Sequence, residues 1–333
     1  MQNLVSILIP AYNAEKWIRE TIMSALSQTW PSCEIIVVDD GSSDSTFDVA
    51  NRFQSKSLKV IRQDNMGASV ARNKAFTFAQ GDYIQWLDAD DLIAPDKISQ
   101  QLKNAEDGNK SLRLLSSAFG YFFYRIHKAK FLPTNLWQDL TPVEWLITRF
   151  ADRVWIHPAA WLVSRRLTNQ VGPWDERLSL NDDGEYFARV VAACEEVKFV
   201  SGAKCYYRQV NINSLSNTLT HNARESLFLS LELCYRSLLL LENSERTRNA
   251  VLKHLQNYII YFYPEEHELL GKIEELSKEL GGSLTQPKLK FKYNLVRMIF
   301  GWETAKNLVF TVPRFKKQIF GNYDRILNNI CGV

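Results

Sequence analysis

Along the first ninety residues, apolar runs alternate with segments of helical period. Leu4-Val-Ser-Ile-Leu-Ile9 is almost continuously apolar, the mark of a parallel strand covered on both faces. The next segment sets Ile18, Ile22, Ala25 and Leu26 at i, i+4, i+7 and i+8, which predicts a helix with one buried stripe and Asn13 as its N-cap. Glu34–Val38 and Leu58–Ile61 read as the second and third strands, Ala68–Ala79 as a helix after Gly67, and Asp82–Leu87 as a fourth strand. Such alternation predicts an α/β fold of right-handed βαβ units, with a ligand crevice beyond the carboxyl ends of the strands.

Further along, the pattern changes. Pro95–Glu106 and Thr141–Ala151 look helical, Leu112–Tyr124 is apolar and aromatic, and Ala159–Ser164 and Val197–Val200 look like strands. Beyond Asn217 the period is helical to Leu280, with Leu227, Leu231, Cys234, Tyr235 and Leu238 on one face, and Gly281-Gly282 makes a break. The chain therefore divides into an α/β unit over 1–217, with halves at 1–110 and 111–217, and a helical region over 218–333.

Composition narrows the class. The 333 residues suit about two domains, and 46% hydrophobic with 23% charged residues excludes a disordered chain. Five scattered cysteines without a CxxC pair fit a reducing, cytoplasmic setting. No targeting signal is expected, and no apolar run approaches the roughly 20 residues of a membrane span. The net charge of +3 hides an asymmetry: residues 284–333 carry nine Lys or Arg against two acids, leaving −4 for the rest. Bases interleaved with aromatics in this tail suit peripheral contact with an anionic membrane. They also suit an amphipathic helix packed on the body with its bases outward. Nucleic acid is not expected, because no recognition module accompanies them.

The first strand is followed by neither GxxxxGK[ST] nor GxGxxG but by Pro10-Ala11-Tyr12-Asn13. Tyr12 is either a base-stacking ring, worth about 1–3 kcal/mol, or a half-buried crevice aromatic. The second strand ends in Asp39-Asp40-Gly41, where the acids can accept from a base or ribose or simply cap a turn. Trp86-Leu-Asp88-Ala89-Asp90-Asp91 is the strongest local signal. Asp88 and Asp90 project to one face of an extended segment. Clustered acids at an apolar strand end call for a hard cation such as Mg²⁺ or Mn²⁺, whose shell a nucleotide diphosphate completes. The bland alternative is a solvated turn capping the next helix.

Five strings resemble, in order and spacing, the nucleotide-sugar half of glycosyltransferase family 2, which has a GT-A fold. They are Val5-Ser-Ile-Leu-Ile-Pro-Ala-Tyr-Asn13, Ser27-Gln-Thr29, Glu34-Ile-Ile-Val-Val-Asp-Asp-Gly-Ser42, Asn65-Met-Gly-Ala-Ser-Val-Ala-Arg-Asn73 and Leu87-Asp-Ala-Asp-Asp91. The resemblance implies that Pro10, Ala11 and Tyr12 line the nucleobase, that Asp40 contacts it with Asp39 alongside, and that Gly67 and Arg72 close over the nucleotide. Asp88-Ala89-Asp90 then matches the DxD motif, Asp88 toward the ribose and Asp90 toward the metal, with Asp91 as an adjacent ligand. Val171–Leu178 and Asn181–Arg189 resemble the downstream segments, which makes Asp183 the general base and Asp182 its alternate. On the residues alone, the same two acids could merely open a helix over Gly184–Ala193 and suit its dipole. Cys205-Tyr-Tyr-Arg208 and Ser214-Leu-Ser216 resemble a downstream element in which many relatives carry a histidine between the tyrosine–arginine pair and the serines. Asn211 holds that place here, and His157 is expected to be structural.

The activity implied is inverting, metal-dependent transfer from a nucleotide-diphosphate sugar, UDP-sugar foremost, to a hydroxyl of a glycan or lipid-linked acceptor. Cell-envelope or exopolysaccharide assembly is the expected setting, in the cytoplasm or at the inner face of the membrane. Two alternatives compete: a nucleotidyltransferase, which wants a basic, Gly-rich phosphate loop after the first strand, and a non-catalytic glycan-binding protein of the same fold.

Overall fold

The computed structural model describes residues 2–104, 112–210 and 220–331. Its main sheet has the order β3-β2-β1-β4-β8, built from β1 (Val5–Ala11), β2 (Cys33–Asp40), β3 (Leu58–Gln63), β4 (Tyr83–Trp86) and β8 (Val163–Ser164). The first four run parallel, and β8 is antiparallel to β4. Ile7, Leu8, Ile9, Val37 and Val38 are fully buried because α1 (Ile18–Leu26), α2 (Thr46–Asn51) and α3 (Ala68–Phe78) cover the sheet faces. A second sheet, β5-β9-β6-β7, is formed by Leu92–Ile93, Val197–Arg208, Leu114–Phe122 and Lys130–Phe131. Its central pair β6–β9 is parallel, with a bulge at Ser117/Ala118.

The seam between the two sheets is polar. Lys97, the first residue of α4 (Lys97–Lys103), is fully buried and donates to Gln85 Oε1 and, at 2.7 Å, to Gln101 Oε1. Gln85 and Gln101 in turn donate to the carbonyls of Ala159 and Ala160, both at 3.0 Å. Burial pushes the Lys97 pKa down to about 7.

Several expectations need correction. Asn13 does not cap α1, which starts at Ile18 behind Trp17. Instead Asn13 takes a left-handed turn (φ 48°) and accepts from the Ser43 N–H at 2.9 Å, a conformation Asn tolerates well. Leu26 is exposed, and Thr21 completes the buried stripe by donating to the Ala89 carbonyl. Ala159–Ser164 forms a strand only at Val163–Ser164, with a single bridge from Leu162 to Leu115, because Pro158 starts a short 3₁₀ turn. By contrast, β9 runs eight residues beyond Val200.

The helical region comprises α8 (His221–Leu241), α9 (Glu245–Phe262) and α10 (His267–Glu279), packed on α5 (Pro142–Asp152) and α7 (Asp182–Ala193). It ends in α11 (Phe291–Cys331), which is two helices joined at Gly301. Asp324 ties the second of these to the body, accepting from the Tyr124 N–H (2.9 Å) and from Arg125 Nε (2.7 Å). Its inner face is thus packed, as the second reading of the tail expects. Its outer face, however, is apolar: Phe315, Ile319, Tyr323, Ile326 and Ile330 are each more than half exposed. No helix among the described residues is long and apolar enough to cross a membrane.

Candidate active site

The carboxyl ends of β1, β2 and β4, the start of α7 and the far part of α11 line one cavity of about 720 Å³. Pro10, Ala11, Tyr12, Asp40, Gly67, Arg72, Asp88, Ala89, Asp90, Asp91, Asp182 and Asp183 all face it. Tyr12 stands at the rim, 53% exposed, with its ring open to a planar partner.

Asp39 is the exception among the expected site residues. It does not line the cavity; it is fully buried, 3.3 Å from Arg62 Nε, and its Oδ1 has no donor. Asp40 faces the cavity, but its carboxylate is already occupied. Gln63 Nε2 (2.7 Å) and the Met66 N–H (2.9 Å) donate to one oxygen, and the Gly67 N–H (2.9 Å) and Asn65 Nδ2 (3.3 Å) to the other. A carboxylate accepts about four such bonds, so Asp40 organises the 63–67 loop and meets a base only by exchanging a loop donor. Gly41 permits this arrangement. Its φ is +69°, and a Cβ there would stand 2.6 Å from the Asn65 amide.

Arg72 bridges the two parts of the chain. Its guanidinium reaches Asp88 at 2.9 Å and Asp182 at 2.5 Å, and lies 4.3 Å over the Trp174 ring. The neighbouring Asn73 exchanges hydrogen bonds with the Trp174 backbone at 2.8 and 2.9 Å. Trp174 also stacks flat on Tyr186 of α7, 4.0 Å between centroids. The Ala-Arg-Asn run on α3 therefore fixes the loop that carries the second acidic pair. Burial acts to raise the Asp88 pKa, but Arg72 overrides it and holds the carboxyl below its ordinary range.

Asp91 is tied down from two sides. It accepts from the Arg208 N–H (2.8 Å) and sits 2.7 Å from His157 Nε2. The Ala159 N–H donates to His157 Nδ1 (3.1 Å), which leaves Nε2 as the nitrogen facing Asp91, and against the effect of burial the Asp91 charge raises the His157 pKa well above its ordinary value. Asp88, Asp91 and His157 bring ligand atoms within 4.8 Å of one another, and the ion pair with His157 orients Asp91. The Arg208 side chain is clasped between Trp17 and Phe122, each 4.5 Å away, and donates to the Asp90 carbonyl at 2.8 Å. Spacing alone gave no hint of these two supports; both become visible only when β9 is laid beside the strand end.

Asp90 is different. Among the described residues, no donor reaches its carboxylate. Burial, then Asp91 and Asp88, push its pKa up to about 8. A carboxyl that no described donor reaches, between two other acids, fits a divalent cation, with Asp88 and Asp91 beside it.

Asp182 and Asp183 form the first turn of α7, and Asn181 (φ 59°) holds the cap position instead of either acid. Asn181 donates to Ser230 Oγ (2.6 Å), while Ser226 Oγ accepts from the Ser179 N–H (2.8 Å), so α8 anchors this turn. Gly184 leaves room for these side chains: a Cβ there would lie 2.2 Å from Asn181 Oδ1 and 2.7 Å from Arg149 Nη2 and would displace them. Burial and the neighbouring Asp182 raise the Asp183 pKa. Asn211 lies outside the described residues. Sequence reasoning did not foresee Lys317 and Arg325 of α11 at the same cavity; their charge was visible, but not where the helix would lie.

Residues 6–141 match the model of glycosyl transferase family 2. This segment is similar to that family, and the chain has a GT-A fold. Two curated relatives are the putative teichuronic acid biosynthesis glycosyltransferase TuaG of Bacillus subtilis and the glucosyltransferase WfaP of Escherichia coli. The first is 43% identical over 103 residues, 30% of this chain and 41% of TuaG. The second is 45% identical over 100 residues, 30% of this chain and 40% of WfaP. The chain thus spans about two fifths of these relatives. Among solved structures, S. aureus TarS with UDP-GlcNAc superposes with a TM-score of 0.67 at 18% identity, over 92% of this chain and 89% of that one. A Pyrobaculum calidifontis mannosyltransferase with GDP-Man and Mn²⁺ gives 0.54 at 16% identity, over 96% and 88%. At such identities the likeness concerns the fold.

Proposed function

We propose that this protein transfers a sugar from a nucleotide-diphosphate donor, UDP-sugar foremost, to a hydroxyl of a glycan or lipid-linked acceptor, with inversion. The observation that carries this reading is one cavity faced by Tyr12, Asp88, Asp90 and Asp183. The UDP-GlcNAc in TarS and the UDP-Glc in the name of WfaP support the donor, and the teichuronic acid in the name of TuaG and the diphosphoundecaprenol in that of WfaP support the setting.

In this reading Tyr12 stacks on the base, and the 63–67 loop together with Arg72 of α3 closes over the nucleotide. Mn²⁺ or Mg²⁺ held by Asp90, with Asp88 and Asp91, would supply positive charge for the leaving diphosphate. Asp183 accepts the acceptor hydroxyl's proton as that oxygen bonds to the anomeric carbon, while the bond from this carbon to the donor phosphate breaks on the opposite face. Its raised pKa makes it a stronger base, as general-base catalysis needs. A lipid-linked acceptor would draw the protein to the inner face of a membrane, a role the exposed apolar row of α11 and the tail's nine bases suit.

A screen of nucleotide-sugars for Mn²⁺-dependent hydrolysis tests the proposal. A UDP-sugar should turn over, and Asp90→Ala should abolish the reaction. Full activity in that variant would overturn the metal role.

A further inference from the structure

A second cavity, about 350 Å³, adjoins the first. Asn181 and Asp183 line both, so the two meet at the proposed base. Its volume lies at the small end of the range for small-molecule sites. Arg149, Arg153, Trp155, His254 and Tyr258 face it from α5, the turn after α5, and α9.

Positive charge is in excess here. Arg149 is 93% buried and gives one N–H to the Gly184 carbonyl at 2.8 Å. Among the described residues, no carboxylate forms an ion pair with it. Arg153 likewise pairs with no described carboxylate; its guanidinium lies 5.7 Å from the Tyr258 ring centre. Removing a guanidinium from water without a counter-ion is costly, and such forks match planar carboxylate or phosphate oxygens in pairs. Asp183 is the acid facing this cavity; against two arginines it leaves an excess of positive charge. His254 adds none, because burial, then Arg149 and Arg153, hold its pKa far below the ordinary value and keep the ring neutral. Trp155, 37% exposed, and the half-buried Tyr258 supply flat apolar walls.

We propose that the second cavity is the acceptor subsite and that it selects an acidic glycan, whose carboxylate or phosphate is gripped by Arg149 and Arg153. This rests on the reading of Asp183 as the base. The acceptor hydroxyl meets Asp183 from one side, and the donor's anomeric carbon approaches from the other.

The test uses the full-length protein saturated with UDP and Mn²⁺. D-glucuronate, glucose 6-phosphate and D-glucose are titrated in turn, with binding followed by ligand-detected NMR. At least one acidic sugar should bind tenfold or more tightly than glucose, and the tighter of the two identifies the preferred anion. Arg153→Ala, at an exposed position, should reduce that preference at least fivefold while leaving UDP affinity unchanged. Arg149→Lys, which keeps the charge but loses the fork, should also weaken it. Equal binding of the three sugars, or an Arg153→Ala variant that retains the preference, would overturn the proposal. UDP affinity measured in the same samples separates the outcomes: failure of UDP to bind sinks the donor reading, whereas intact UDP binding with no acidic preference sinks this inference alone.

Discussion

The proposed donor side of the cavity takes Tyr12, Asp40, Asp88 and Asp90 from three neighbouring strand ends within the first ninety residues, and the proposed acceptor side lies opposite. The acceptor side takes Asp183 from a helix turn that other parts of the chain hold in place. Arg72 reaches Asp182 across 110 residues, α8 contributes Ser226 and Ser230, and Arg149 fastens Gly184. The first arrangement follows from the parallel sheet, since adjacent strands in register bring their carboxyl ends together. The second depends on packing between distant helices. The donor wall should therefore survive damage to the acceptor wall, and experiments can separate the two.

The largest effect is expected from Asp183→Asn. It should cut transfer by about 10²–10⁴-fold, the usual yield of a positioned base, with donor affinity unchanged by calorimetry. Equal loss of both would show that Asp183 holds the whole cavity together. Next comes Gly184→Ala. The added methyl would collide with Asn181 Oδ1 and Arg149, and overpacking of this kind costs about 1–3 kcal/mol. Urea denaturation should report that loss, and transfer should fall more than UDP binding.

Lys97 probes the seam itself, with a smaller effect. Its pKa is about 7 in the folded protein against the ordinary 10.5. Between these values the unfolded chain keeps a proton that the folded one has released, so raising the pH favours folding. Stability should rise by about 1–2 kcal/mol between roughly pH 7 and 8.5 through this group. Lys97→Met should flatten the slope of urea midpoint against pH over that window; an unchanged slope would contradict the assignment.

The same contrast explains what the sequence could disclose. Apolar runs and the acids closing them marked β1, β2 and β4 and nearly every donor-side residue, because strand period and turn chemistry are local. Asp39 was misjudged since alternation along β2 turns it toward Arg62, away from the crevice occupied by Asp40. The His157–Asp91 pair, the clasping of Arg208 and the two arginines that share the second cavity with Asp183 left no local trace. They come from β9, from the 3₁₀ turn behind Pro158 and from α5 meeting α7. Pro158 itself was the one clue that the segment after it would not run as a full strand.

The account stands or falls on whether the carboxyl group of Asp90 recruits a divalent cation for a nucleotide diphosphate. Calorimetric titration of UDP into the wild-type protein and into Asp90→Ala, each with and without Mn²⁺, addresses this directly. The account predicts that Mn²⁺ strengthens UDP binding by at least tenfold in the wild type and has no effect in the variant. Equal UDP affinity in all four titrations would contradict it.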